Sequence, residues 1–254
     1  MLATPGAAVF TGRMSEHAAV SHAAEPHAAG LANRLNGLRA GVLGANDGIV
    51  SVAAIVVGVA GATPALGPIV TAGMAGLVGG AVSMALGEYV SVSSQRDSEH
   101  ALIAKERREL EEMPHEELAE LTAIYKDKGL SLQTARQVAQ ELTANDALAA
   151  HLSAELNIDQ DDIVSPWRAA FASALAFLIG GLLPLLAMLL APTDWRVAVT
   201  VLTVLPALAL TGATGAYLGQ SPLLRPTVRV VFGGALALAA TFLIGRLLGT
   251  SGIV

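Results

Sequence analysis

The sequence predicts an all-α membrane protein with five transmembrane helices and a polar three-helix insert between the second and the third. Three observations carry this. Of 254 residues, 53% are apolar and only 14% charged, against roughly 25% charged in an ordinary soluble domain. The charge is also concentrated, because 24 of the 36 Asp, Glu, Lys and Arg residues fall between Arg96 and Arg168. Finally, five stretches supply the about 20 apolar residues that a helix needs to cross a hydrocarbon core of about 30 Å.

In chain order, residues 1–33 are Ala-rich and lack a cationic start followed by an apolar stretch and a cleavage site, so a disordered, solvated tail is expected and not a cleaved signal. His17, His22 and His27 recur there every five residues, which is neither a helix nor a strand period. Residues 34–95 carry the first two spans, near 37–61 and 68–93. Residues 96–164 form the insert, and residues 165–254 carry spans near 167–191, 196–219 and 227–249. Pro184 and Pro206 read as kinks inside spans, because neighbouring membrane helices can satisfy the freed backbone groups. The second span contains Gly76-x-x-x-Gly80, a spacing that lets helices approach closely. Two-fold pairing of chains would help five helices enclose a path.

Cationic flanks set the orientation. With the N-terminus in the cytoplasm, 13 of the 15 basic residues lie inside, and only Arg196 and Arg246 lie outside. That bias predicts N-in, C-out, and makes the insert cytoplasmic. With no cysteine there is no disulfide, thiolate metal site or thiol nucleophile. The net charge of −6 gives no reason to expect nucleic acid as a partner.

Within the insert, Pro114 belongs in a first helical turn and not in an interior. It therefore divides a helix ending near Glu112 from a second over Pro114 to Asp127, and Gly129 divides that from a third running from Ser131 to Leu156. Glu106 and Glu109 are three apart on the first, Glu117 and Glu120 three apart on the second, and His151 and Glu155 four apart on the third, so each pair shares a helical face. Turned inward together, these groups would repel one another unless a cation compensated. Turned outward, they are a solvated face, the commoner fate of acidic residues on helices and the reading given to Glu111, Glu112 and Glu116. Glu112 and His115 imitate the Glu-x-x-His pattern of di-iron bundles, but Pro114 lies between them and breaks the helix that pattern requires. His100 has no evident role.

Asp47 falls about ten residues into the first span, on the order of 15 Å deep. An acid at that depth marks an ion pathway by default. Met84 in the second span lies at a similar depth, where packing is the ordinary use of a methionine. Glu88 is one turn nearer the cytoplasm, as an entrance ligand or as a side chain that reaches the interface.

The stretches GANDGIVS (44–51), SMALGEYVSVSSQRD (83–97), ERREL (106–110) and SPWRAAFASALAFLIGGLLPLL (165–186) resemble the vacuolar iron transporter family, over roughly Leu35 to Gly249. The resemblance implies a dimer of five-helix chains that moves ferrous iron, and in some members manganese, out of the cytosol. It implies metal ligation in the insert by Glu106, Glu109, Glu117, Glu120 and Glu155, and in the membrane by Asp47 and Met84. His151 stands where plant relatives carry a methionine, and Ala40 where they carry an acid. Imidazole can ligate Fe(II), Mn(II) and Zn(II), so the resemblance leaves the preferred metal open.

The expected activity is export of Fe(II) or Mn(II), with Zn(II) or Co(II) as further cargo, by exchange for protons. No permanently bound cofactor and no enzymatic reaction are expected. The expected location is a bacterial inner membrane. The rival readings are a membrane-anchored ferroxidase or iron-storage protein, and a metal sensor that transports nothing.

Overall fold

The computed structural model describes residues 31–158 and 165–251, with side chains from residue 40 onward. The expected tail, its three histidines and the end of the insert over 159–164 lie outside the described residues. Seven α-helices make up the described chain: α1 (Leu31–Ala62), α2 (Leu66–Glu112), α3 (Pro114–Asp127), α4 (Leu132–His151), α5 (Pro166–Leu190), α6 (Arg196–Leu218) and α7 (Leu224–Thr250). Five of them, α1, α2, α5, α6 and α7, are long and apolar enough to cross a membrane, which makes this a multi-pass membrane protein.

The centre of the bundle is α1, which packs against α2, α5, α6 and α7. Small residues permit this. A Cβ on Gly48 would collide with the Phe177 carbonyl of α5, and one on Gly245 of α7 with the Gly58 carbonyl of α1. These contacts run in parallel register, with Gly44 and Gly48 opposite Ser173 and Phe177, while Ile55 and Val56 meet Gly76 and Gly73 of α2 in antiparallel register. Hence α1, α5 and α7 point one way, α2 and α6 the other. The core between them holds Val52, Val56, Phe177, Leu185, Met188, Val204 and Leu208, all at most 2% exposed. Full burial of each such side chain contributes about 1.5–3 kcal/mol when the alternative is water. Outward-facing Val82, Leu86, Phe171, Ile179, Leu202 and Phe232 leave an apolar belt on the surface, as lipid contact requires.

Gly76 and Gly80 do not wait for a second chain. Gly76 faces Ile55 of α1, and Gly80 faces the Phe177 ring of α5. Pro184 and Pro206 both sit inside continuous helices.

One expected boundary is absent. The second span and the first insert helix are a single helix of 47 residues, so the expected division at 95/96 falls inside a helix. Nothing in residues 93–99 breaks it: VSSQRDSEH (92–100) contains neither Gly nor Pro, and polar side chains interrupt hydropathy without interrupting the backbone ladder. After Met113 the chain turns at Pro114, the first residue of α3, whose first turn carries Glu116 and Glu117. Acids there complement the positive end of the helix. Gly129, at φ 102°, ends the turn after α3, and the Ser131 hydroxyl accepts from the Thr134 N–H at 3.2 Å to start α4.

The third insert helix is also less regular than its spacing suggests. Asp146 leaves the helical region at φ −157°, ψ 98°, and its Oδ1 accepts from the Ala149 N–H at 2.9 Å. A fresh helical turn therefore begins at Asp146 and runs into a π-helical turn over Leu152–Leu156, ended by Asn157 in the left-handed region at φ 52°. Leu121, Ala135, Ala139 and Leu152, none more than 1% exposed, form a small core of α3 and α4 apart from the bundle.

Candidate metal centre

Three helices deliver acids and an imidazole to the edge of that small core. Glu106 comes from α2, beyond its apolar part; Glu117 comes from the first turn of α3; and His151 closes α4. Ligand atoms of these three residues lie within 4.8 Å of one another. His151 Nδ1 is 2.9 Å from Glu106 Oε1, 3.5 Å from Glu117 Oε2 and 3.9 Å from Glu155 Oε2. Exposure is 0% for His151, 3% for Glu106 and 5% for Glu117. Charged and polar groups are seldom buried this deeply without a partner.

Here the partners are incomplete. Glu106 Oε1, His151 Nδ1 and His151 Nε2 are buried and have no well-formed hydrogen bond. Nδ1 and Oε1, 2.9 Å apart, are within ion-pair distance without hydrogen-bond geometry, a spacing that two ligands of one ion can also adopt. Each buried polar atom left unsatisfied costs about 1–3 kcal/mol, and a divalent cation would satisfy acids and imidazole together.

The electrostatics point the same way. Burial, and after it the negative charges of Glu155, Glu117, Glu109 and Glu120, push the Glu106 carboxyl up to about 7. Burial also raises Glu117, with Glu120 adding to the rise and His151 opposing it. A carboxyl buried among other carboxylates keeps its proton toward neutral pH until a cation compensates.

The outer acids behave differently. Glu109 is half-buried and pairs with Lys105 at 2.8 Å; Glu120 is exposed; and the Glu155 side chain, 28% exposed, borders the site. Of the six residues expected in the insert, the structure therefore gathers Glu106, Glu117 and His151 closely, with Glu155 at their edge. Glu111, Glu112, His115 and Glu116 are exposed, as a solvated face requires. His100 accepts from Arg96 Nε at 3.3 Å. Sequence spacing missed one contact beside Glu155, the bond from Lys128 Nζ to the Ala154 carbonyl at 3.3 Å, which ties the end of α3 to the π-helical turn.

In the bundle, Asp47 lies on the surface of the single chain, and its Oδ1 accepts from the Ser51 hydroxyl at 2.8 Å. The i, i+4 spacing inside GANDGIVS held this signal. Ile55 of α1 opposes Gly76 of α2, so eight residues further along each antiparallel helix Asp47 and Met84 come to one level. Met84 is half-buried and packs against the bundle core, so part of its role is packing. Glu88 is half-buried. Next to it, Tyr89 meets Trp167 with ring centroids 4.8 Å apart, and aromatic rings of this kind collect at the membrane–water interface. Thr211 of α6 donates to Asn46 at 3.3 Å, a polar tie between α1 and α6 that spacing did not suggest.

Known proteins resemble this chain along most of its length. The VIT family matches residues 38–246. A vacuolar iron transporter of Acanthamoeba castellanii is 44% identical over 218 residues, covering 85% of this chain and 80% of the relative. Vacuolar iron transporter homolog 2 of Oryza sativa subsp. japonica is 38% identical over 85% of this chain and 93% of its own length. Its namesake in Arabidopsis thaliana is 35% identical over 85% and 86%.

Proposed function

The chain belongs to the VIT family, and on that premise we propose that it carries divalent transition metal, Fe(II) first and Mn(II) second, out of the cytosol. The observation that carries this reading is the buried trio of Glu106, Glu117 and His151, whose ligand atoms converge, with Glu106 Oε1 and both His151 nitrogens left without hydrogen-bond partners. Glu155 completes the trio at its edge, and Glu109 and Glu120 raise the local negative potential that draws cations in.

From this capture site in the cytoplasm the cation passes along α2 to Glu88 at the interface and then to Met84 and Asp47 within the bilayer. Asp47 is exposed on the single chain, and a carboxylate turned toward lipid is costly. A second copy covering that face would enclose it. The exposed stripe of Ala75, Gly79, Ser83, Gly87 and Ser91 along α2 offers the every-fourth-residue small surface on which membrane helices approach, and supports a two-fold dimer built there.

The same groups support coupling to protons. Glu106 holds its proton up to about pH 7, so metal capture near neutrality displaces protons. The positive-inside bias supports a cytoplasmic N-terminus and insert. Flux into sealed vesicles tests the pathway. Under an imposed pH gradient, Asp47→Ala is expected to abolish Fe(II) uptake, and uptake as fast as wild type would remove Asp47 from the path.

A further inference from the structure

We propose that His151 is the specificity-determining residue of the capture site, making it favour Fe(II), Co(II) and Zn(II) over Mn(II) and Mg(II). The inference rests on the capture reading above and adds to it a ranking of cargo. Carboxylates alone are hard oxygen donors that suit Mg(II), Ca(II) and Mn(II) as well as Fe(II), so Glu106 and Glu117 by themselves would sort these ions poorly. An imidazole nitrogen binds more strongly along the series from Mn(II) through Fe(II) to Co(II), and suits Zn(II).

The placement of this imidazole favours ligation over packing. His151 is fully buried, and Nδ1 approaches Glu106, Glu117 and Glu155 from the inner side of the acid cluster. Nδ1 has no well-formed hydrogen bond, so the atom nearest the acids is a donor left for an ion to engage. The backbone holds the ring there by an irregular device. The helix breaks at Asp146, which caps a new turn through the Ala149 N–H, and His151 ends that turn where the chain widens into a π-helical turn. Such π-turns occur frequently at functional sites. The ring is thus the innermost donor, and a cation cannot engage both Glu106 and Glu117 without lying beside it.

The test is equilibrium binding to the full chain in detergent, with His17, His22 and His27 changed to Gln so that these histidines do not bind metal. The probes are Mn(II) alone, Co(II) alone and, without oxygen, Fe(II) alone. Wild-type His151 is expected to bind Co(II) and Fe(II) at least roughly tenfold more tightly than Mn(II), and His151→Asp and His151→Asn to narrow that ratio to about threefold or less. A narrow ratio in the His151 protein, or a wide one kept by both variants, overturns the proposal. Should neither variant fold, the Co(II)-loaded His151 protein decides. A paramagnetically shifted imidazole proton signal supports ligation, and bound Co(II) without one overturns it. The two readings fail separately. If Glu106→Gln abolishes binding but the metals are not distinguished, only the specificity falls, whereas a protein that binds none of the probes loses the capture site itself.

Discussion

Replacing Glu106 by Gln should separate two opposing roles of one side chain. In the metal-free protein the buried carboxylate is a burden. Its carboxyl is raised from 4.5 to about 7, so the folded state resists ionisation that the unfolded chain accepts freely. The associated stability is fully present below pH 4.5 and is lost as pH rises through about 7. A rise of that size corresponds to a loss of about 3 kcal/mol at pH 8, as an upper bound. Glu106→Gln cannot ionise, so the metal-free variant should be more stable than wild type at pH 8 by about 1–3 kcal/mol, and close to it at pH 4.5. With metal the order reverses. An ion at one hundred times its Kd stabilises the native state by about 2.7 kcal/mol, and the variant, lacking a charged ligand, should forfeit most of this. The assay is thermal unfolding in detergent at pH 4.5 and pH 8, with and without Co(II). Equal metal-free Tm differences at the two pH values, or a Co(II) shift surviving in the variant, would refute the placement of Glu106 as a buried, cation-compensated ligand.

Further outcomes follow from the same geometry. Metal affinity should fall as pH drops below about 7, because Glu106 must lose its proton to bind, and titration should release protons as metal binds; affinity unchanged between pH 8 and pH 6 would contradict this. Asp146→Ala removes the cap of the turn that carries His151 and should lower the stability of the insert by about 1 kcal/mol and weaken metal binding, while Asp146→Asn, which can still cap, should retain both. Gly245→Val drives a side chain into the Gly58 carbonyl and should abolish monodisperse protein in detergent. By contrast, a Cβ on Gly79 meets no atom of the described residues within 4 Å, so Gly79→Leu should leave the fold intact while converting a dimer to monomers on size-exclusion with light scattering.

The spans were legible because crossing lipid demands a length and a composition, and both are one-dimensional properties. The break at Pro114 was legible for a similar reason, since proline forbids a helix interior whatever surrounds it. Spacing grouped the acids into pairs three apart. It could not say which member of each pair turns inward, because residues three apart on a helix still differ in direction, and the packing of α3 on α4 chooses between them. Glu106 and Glu117 went in, while Glu109 found Lys105 and Glu120 remained exposed.

The sequence by itself therefore determined five apolar helices, a charged insert between the second and third, and the residue types able to hold a cation. Only the tertiary structure decided that the second span continues unbroken into the insert, that Gly76 and Gly80 serve contacts within the chain, and that His151 lies innermost among the acids. The physical reason is range. Hydropathy and backbone propensity act within a few residues, whereas a ligand site is made by atoms from α2, α3 and α4 that are distant in sequence, and their meeting depends on how every intervening helix packs.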